Sequence, residues 1–404
     1  MRKTLFIVWM MLTAICGWAQ QTTVNGTVVD TETRKPVAGA SVTAGRLSVV
    51  TNEDGFFILK SDQTVEAVVV SHLGYRSQRI SIDGQQASPL QIMLKPATVQ
   101  LTEVLVTAYN ARELVLKAIS RIPKNYSKKE EMQRCFYREK VMKRQNYISV
   151  AEGVLDMYKT GYQYGSEHDR TAIRKGRRLL SPKLSDTLTV KVMGGPATAL
   201  SLDVVKNPSL LLNDEELNLY ELKMETPATI ADRRQYVVSI APRATVPYAL
   251  YFGRLYIDQE TLAFTRAELE LDMSDREKAT SGMLVKKPRG LRFKPKELSC
   301  IVDYRTGEDG LTRISYMRNT FRFNCDWKRR LFATSFSVFC EMAVTDTSDH
   351  DVRPIRGRDS FDQRDAFFDK VDYFRDPAFW QDYNIIEPTE SLDNAINKLL
   401  KKYR

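Results

Sequence analysis

The chain has 404 residues, 60 Lys and Arg against 50 Asp and Glu, a formal net charge of +10, five cysteines and three histidines. That length excludes one ordinary core and asks for two or three domains. The basic excess admits anionic partners, but the clusters Arg170, Arg174, Lys175, Arg177, Arg178 and Lys286, Lys287, Arg289, Arg292, Lys294, Lys296 lack interleaved aromatics, which argues against nucleic acid and for solvated loops.

Arg2 and Lys3 precede an apolar run from Leu5 to Cys16 and the small residues Gly17 and Ala19, the pattern of a signal peptide over residues 1–19. Its loss lowers the net charge from +10 to +8. Cys16 follows Ile15 and has Thr13 three positions before it, so lipid attachment is not expected. No later stretch is long and apolar enough for a transmembrane helix. The expected location is the periplasm or the outer membrane of a Gram-negative envelope. Anionic partners there would be lipid headgroups, phosphorylated lipopolysaccharide or acidic glycans.

Residues 20–98 read as about seven short strands, from Thr22–Asp30 to Leu90–Leu94, without helical periodicity. Asn52-Glu53-Asp54-Gly55 predicts a tight hairpin between Val49-Val50-Thr51 and Phe56-Phe57-Ile58-Leu59. The segments Val24–Asp30, Pro36–Val42, Thr51–Phe57 and Ser71–Tyr75 together resemble the carboxypeptidase regulatory-like domain. The resemblance implies a transthyretin-like β-sandwich without catalytic activity. Such domains often stand in front of TonB-dependent receptors of the SusC type, with a segment similar to Leu101–Ala108 leading into the plug. Nothing after Ala108 resembles a plug, and about 300 residues cannot hold one together with a large membrane barrel. Nor is a zinc peptidase expected, because His72, His168 and His350 have no mutual ligand spacing. His72 reads as a bend residue and the other two as loop residues.

After a linker strand over 99–109, residues 110–404 form the second expected unit. Asn110 opens a helix with Ala111, Leu114, Val115, Ala118, Ile119 and Ile122 on one face, and Pro123 is expected to stop it. Strands follow at Tyr147–Met157, Tyr236–Ile240 and Tyr251–Ile257. In the next strand Ala263, Thr265, Ala267, Leu269 and Leu271 alternate with Phe264, Arg266, Glu268 and Glu270. The period of two puts Glu268, Glu270 and Asp272 on a solvent face rather than in a carboxylate active site. Leu298, Cys300, Val302 and Tyr304 repeat the alternation, as do Phe332, Thr334, Phe336, Val338, Cys340, Met342 and Val344. Cys135, Cys300, Cys325 and Cys340 are either disulfide-bonded or buried thiols. A last helix opening at Pro388-Thr389 carries Leu392, Ala395, Ile396, Leu399, Leu400 and Tyr403 on one face, for docking on the sheet rather than on a membrane.

The expected fold is mainly β: a transthyretin-like sandwich, then a helix-capped, curved antiparallel sheet in the form of a half-barrel. Tyr251–Asp258 followed by Leu262–Leu269 is loosely similar to strand pairs of LolA/LolB-type half-barrels, which implies an apolar cavity for acyl chains. Core packing accounts equally for the aromatic Phe332, Phe336 and Phe339. No nucleophile, phosphate or dinucleotide motif is present, and no catalytic, cofactor or metal-ligating residue is assigned. The expected function is a non-catalytic envelope protein that docks on an envelope protein or outer-membrane component, with a possible lipid or amphiphile ligand in the half-barrel. The alternatives are a structural or adhesive scaffold and, third, a hydrolase with an unread site.

Overall fold

The computed structural model describes residues 22–83, 89–97, 110–183, 190–192, 194–327, 332–350, 352–362, 365–373 and 379–401. The signal segment, the linker at 99–109 and Tyr403 lie outside these residues. The described residues are mainly β, 49% strand and 16% helix, in several sheets, one of them large and curved and none among the described residues closed into a barrel.

In the N-terminal sandwich β1 (Thr22–Asp30) pairs antiparallel with β4 (Phe56–Ser61) and parallel with β7 (Leu90–Leu94). Opposite them, β2 (Ser41–Ala44) and β5 (Ala67–Ser71) are neighbours, flanked by β3 (Leu47–Val50) and β6 (Gln78–Ser81). Val28, Phe57 and Leu59 meet Val42, Val68 and Val70 between the sheets, all without solvent exposure. The expected hairpin at Asn52–Gly55 is corrected here, because β3 and β4 belong to different sheets and the turn carries the chain across the sandwich. The Asn52 side chain accepts from Asp54 N and Phe56 N, at 3.0 and 2.9 Å, which closes the turn locally without any strand pairing. Glycine is required at its end, since Gly55 has φ 73° and a Cβ there would collide with the Val28 carbonyl.

The second sheet has eleven strands in the order β12-β13-β14-β15-β17-β18-β19-β8-β9-β10-β20. Its long members are β8 (Glu131–Lys143), β9 (Asn146–Lys159), β10 (Arg170–Leu180), β17 (Leu291–Thr306), β18 (Thr312–Trp327) and β19 (Thr334–Ser348). Beside β17 lie β12 (Tyr220–Ile230), β13 (Arg233–Pro242), β14 (Tyr251–Asp258) and β15 (Phe264–Leu271). At the far edge, the two-residue β20 (Asp372–Tyr373) adds in parallel to β10. A separate ribbon pairs β11 (Lys191–Val192) with β16 (Leu284–Lys286).

Helices cover one face of this sheet. Asn110 caps α1 (Ala111–Ser120) by accepting from Arg112 N at 3.0 Å, and Leu114, Val115 and Ala118 go into the core. Burying Leu114 and Val115 contributes about 1.5–3 kcal/mol each. Pro123 does not end the helical path. The chain turns at Arg121, and Pro123 enters the first turn of α2 (Ile122–Asn125), where an amide N–H has no helical partner to lose. From above the same face, Ala199 and Leu200 of α3 (Pro196–Ser201), Val204, Leu211, Leu212, Leu217 of α4 (Asp214–Leu217) and Met283 of α5 (Arg276–Met283) pack onto Leu155, Leu255, Phe264, Val302, Phe321 and Val338. Side chains therefore fill the space the half-barrel reading reserves for an acyl chain.

Two expectations change at the strand level, and one left open is settled. Phe332 lies outside β19 and is 79% exposed, Phe339 points to the opposite face under Lys140, and Phe336 alone stacks in the core on Phe323, so the three rings do not line a common cavity. The cluster from Arg170 to Arg178 is strand β10, not a solvated loop, and of the cluster from Lys286 to Lys296 only Lys287 and Arg289 lie in the turn between strands, Lys286 ending β16 and Arg292, Lys294 and Lys296 standing on β17. Cys135, Cys300, Cys325 and Cys340 are buried and unbonded.

Candidate functional site

The other face of the eleven-stranded sheet is polar in sequence and nevertheless covered. Val50 of the sandwich meets Phe136, Val154 and Ala343 of the sheet and Trp380, Ile385 and Ile386 of the C-terminal segment in one buried cluster. Helix α6 (Glu390–Leu400), capped by Thr389 Oγ1, lays Leu392, Ile396 and Leu399 on Val150 and Leu179. Between these patches Glu152 accepts from Arg138 Nε at 2.7 Å, Arg177 Nε at 2.9 Å and Trp380 Nε1 at 3.2 Å. Arg138 Nη2 also donates to the Ile386 carbonyl at 2.6 Å. Burial alone would raise Glu152, but the two guanidiniums bring it down to about 2.

The C-terminal segment also straps the sandwich down. Lys60 Nζ donates to the carbonyls of Trp380 and Tyr383, Asn52 Nδ2 to that of Pro388, and Asn384 bonds the Lys60 backbone twice. At the sheet edge Gly74 N donates to Thr229 O and Ser77 N to Asp232 Oδ1. In this joint Glu387 is pushed up to about 7 by burial, against the opposing charges of Lys60 and Arg138.

A second buried charge cluster lies at the end of β9. Lys159 Nζ is 2.7 Å from Asp203 Oδ2, Lys206 Nζ is 2.7 Å from Asp169 Oδ1, and Tyr304 and Tyr162 donate to Asp203 at 2.8 and 3.2 Å. Burial and the neighbouring Lys159 charge push Lys206 down to about 8 in spite of Asp169. Each of these charges is held by a partner, so the cluster ties the segment after α3 to the sheet.

Open space decides where a ligand fits. The cavity in the joint, beside His72, Arg138, Lys140 and Arg266, measures about 110 Å³, room for a few waters. A polar cleft of about 1090 Å³ between the modules is lined by both signs of charge, including Arg46, Arg134, Arg305, Asp346 and Asp382. The third space is a groove of about 930 Å³ at the mouth between α1, α2 and the β17–β18 turn. Its lining carries Lys117, Arg121, Lys124, Lys128 and Lys129, the acids Glu131, Asp309 and Asp349, and the apolar surfaces of Pro123, Tyr126 and Leu311. One side is closed by Arg313, which holds Glu131 and Asp309, each at 2.7 Å. Tyr126 is anchored by its hydroxyl, which donates to the Phe264 carbonyl at 2.7 Å. Apolar surface beside gathered cations, at a volume within the common range of ligand pockets, makes this groove the candidate site.

The residues weighed from sequence do not converge. His72 does sit at the bend, its Nδ1 2.9 Å from the Leu73 carbonyl, and burial pushes its pKa down. His168 and His350 are exposed, and among the described residues no three His, Cys, Asp or Glu side chains gather as metal ligands. Glu268 is not on a free solvent face: it holds Arg266 at 2.8 Å and accepts from Tyr256 at 3.2 Å, while Arg266 reaches Asp303 at 2.7 Å. Glu270 is exposed, as expected. The groove cations and the Glu152 latch were missed, and only the Lys128-Lys129 pair next to the helix end offered a signal.

Residues 24–106 match the CarboxypepD_reg-like domain family. A curated relative, the TonB-dependent receptor SusC of Bacteroides thetaiotaomicron, is 36% identical over 118 residues, which are 27% of this chain and 11% of that receptor. The chain thus matches about a tenth of the relative's length. Among solved structures, a DUF1329 family protein from Desulfovibrio piger shares 10% identity over 62% of this chain and 95% of its own, at a TM-score of 0.25. A LolA superfamily protein from Nitrosomonas europaea has 13% identity over 60% and 96%, at 0.20, and MucB in complex with MucA(peri) has 12% over 61% and 100%, at 0.18. At such scores the strand order given above, not theirs, defines the second sheet.

Proposed function

We propose that this chain is an exported, non-catalytic binding protein of a Gram-negative envelope that holds an anionic amphiphile in the mouth groove. The observation that carries the reading is the gathering of Lys117, Arg121, Lys124, Lys128 and Lys129 beside the apolar surfaces of Pro123, Tyr126 and Leu311, with Glu131 and Asp309 already neutralised by Arg313 and Asp349 the remaining acid. An amphiphile's acidic head would sit among Lys124, Lys128 and Lys129, and the start of its chain on those apolar surfaces, where the area removed from water favours binding. The half-barrel core does not serve as the container, because helices α1, α3 and α5 already occupy it. The groove's hydroxyls face the backbone instead of a reacting group: Ser120 Oγ donates to Lys117 O and Ser127 Oγ to Lys129 O. This supports the non-catalytic reading. The match to the regulatory-like domain and to a stretch of an outer-membrane receptor supports the envelope as the location.

Native mass spectrometry of the mature protein after incubation with oleate tests the reading. The expected result is a one-to-one adduct, with Lys124→Glu combined with Lys128→Glu weakening it about tenfold, as two lost charge contacts imply. A protein that keeps its bare mass with oleate, or a double variant that binds as well as the parent, overturns it. A scaffold role would then be favoured by the buried ion pairs that lock the sandwich onto the sheet.

A further inference from the structure

The end of the sheet opposite the mouth groove bears another feature that the groove does not use. Antiparallel pairing brings the start of β17 beside the end of β18, with Leu291 opposite Trp327 and Arg292 opposite Asp326. The start of β19 lies beside the end of β8, with Phe336 opposite Lys143, and Arg144 N donates to the Ser335 carbonyl at 2.9 Å. One rim therefore holds the β8–β9 turn, the entry to β19 and the β16–β17 turn. Phe332, 79% exposed, and Val285, 57% exposed, stand on it. Around them Arg144, Lys286, Lys287, Arg289 and Arg292 are exposed, and Lys191 lies opposite Lys286 in the ribbon.

Single exposed apolar residues are ordinary, and so are surface lysines. Their segregation is what needs a cause. Among the described residues, of the run from Lys286 to Lys294 only Lys294 has an acidic partner, Asp326 at 3.1 Å. Asp275 and Glu277 lie at the far, N-terminal end of α5. Phe332 lies just before β19 and Val285 in the three-residue β16, and neither lines any of the three cavities described above. Exposed apolar side chains in a ring of cations fit a flat, deformable, negatively charged surface.

We infer that this rim docks the protein on an anionic lipid bilayer, with Phe332 and Val285 in the headgroup region and Lys286, Lys287, Arg289 and Arg292 on the lipid phosphates. Two apolar side chains give weak anchoring, so the attachment is reversible and sensitive to salt. It is independent of the mouth groove, which opens at the other end, and either assignment can fail without the other.

Co-sedimentation of the full mature protein with vesicles of phosphatidylglycerol and phosphatidylcholine in equal parts tests it, with pure phosphatidylcholine vesicles as the control. The expected result is binding to the anionic vesicles alone, abolished at high salt. Arg289→Glu with Arg292→Glu should lower the partition at least about tenfold, given the cost of reversing two charges near the surface. Phe332→Ser with Val285→Ser should lower it about fivefold through lost apolar contact. All four positions are exposed, and an unchanged circular dichroism melt separates loss of docking from loss of fold. No binding to anionic vesicles, or full binding by both double variants, overturns the inference. A parent protein that runs as a dimer in light scattering and becomes a monomer on Phe332→Ser also overturns it, and gives the rim to a second copy of the chain.

Discussion

The two faces of the eleven-stranded sheet are both buried, by different chemistry. On the helix-bearing face, Leu155, Phe264, Val302, Phe321 and Val338 share one apolar cluster with residues of α1, α3 and α5, all of which lie between Asn110 and β17 in the chain. On the other, Arg138, Glu152 and Arg177 meet a cover built from the sandwich and from Trp380 to Leu399, segments distant in sequence at both ends of the chain. The helix-bearing face is secured mainly by apolar area, with the Lys159–Asp203 and Lys206–Asp169 pairs confined to one end of it. The charged face depends on a few satisfied ion pairs, and removing one partner leaves a charge with neither water nor counter-ion.

That contrast predicts where the molecule breaks first. Arg138→Met removes one of two guanidiniums from Glu152 and the bond to the Ile386 carbonyl, and should cost about 4 kcal/mol. Urea unfolding reads the loss, and limited proteolysis should show early cleavage after residue 379, because the strap loses its grip before the sheet melts. Leu155→Ala on the apolar face should cost about 3 kcal/mol by transfer and cavity terms, with no selective exposure of the strap. Equal proteolysis patterns for the two variants would mean that the faces do not differ in the way described.

The same contrast explains what could be read in the sequence. Alternation in Arg266–Leu271, the cap at Asn110 and the seven short strands of the sandwich were all legible, because each is a local signal written within a few residues, whereas Phe264, placed by the alternation on the outer side, is buried in the core. What covers a face is not local. A period of two marks Arg266 and Glu268, or Arg138 and Glu152, as one side of a strand, yet nothing nearby says that a sandwich or Trp380 will land there. For the same reason the Arg170–Arg178 run looked like a solvated loop, although Arg177 is buried against Glu152. The turn at Asn52–Gly55 has hairpin chemistry, and only the assignment of β3 and β4 to separate sheets shows that it crosses between layers. The mouth groove escaped because its lining comes from α1, α2 and a turn almost two hundred residues later, and only folding brings these together.

The smallest effect concerns Glu387, an acid of the charged face that burial raises. Glu152 and Glu387 lie in the same joint with opposite displacements, about 2 and about 7. For Glu152, stabilisation is present above the unfolded value and is lost only as the pH falls through about 2, so mild acid leaves the latch intact. Glu387 has the reverse sign. Its folded form holds a proton more tightly than the unfolded chain does, so its contribution is full below about 4.5 and is lost as the pH rises through about 7. Lys60 and Arg138 face it with favourable charge, but Glu152 and Asp393 oppose ionisation and burial outweighs them all. Glu387→Gln keeps the shape and removes the charge, so the variant should match the parent at pH 5 and exceed it by about 2 kcal/mol at pH 8, allowing for partial solvent access. Parallel urea curves at the two pH values measure this directly. A variant no more stable than the parent at pH 8 would mean that the strap loosens enough to hydrate Glu387, and the charged face would then be less tightly closed than the apolar one.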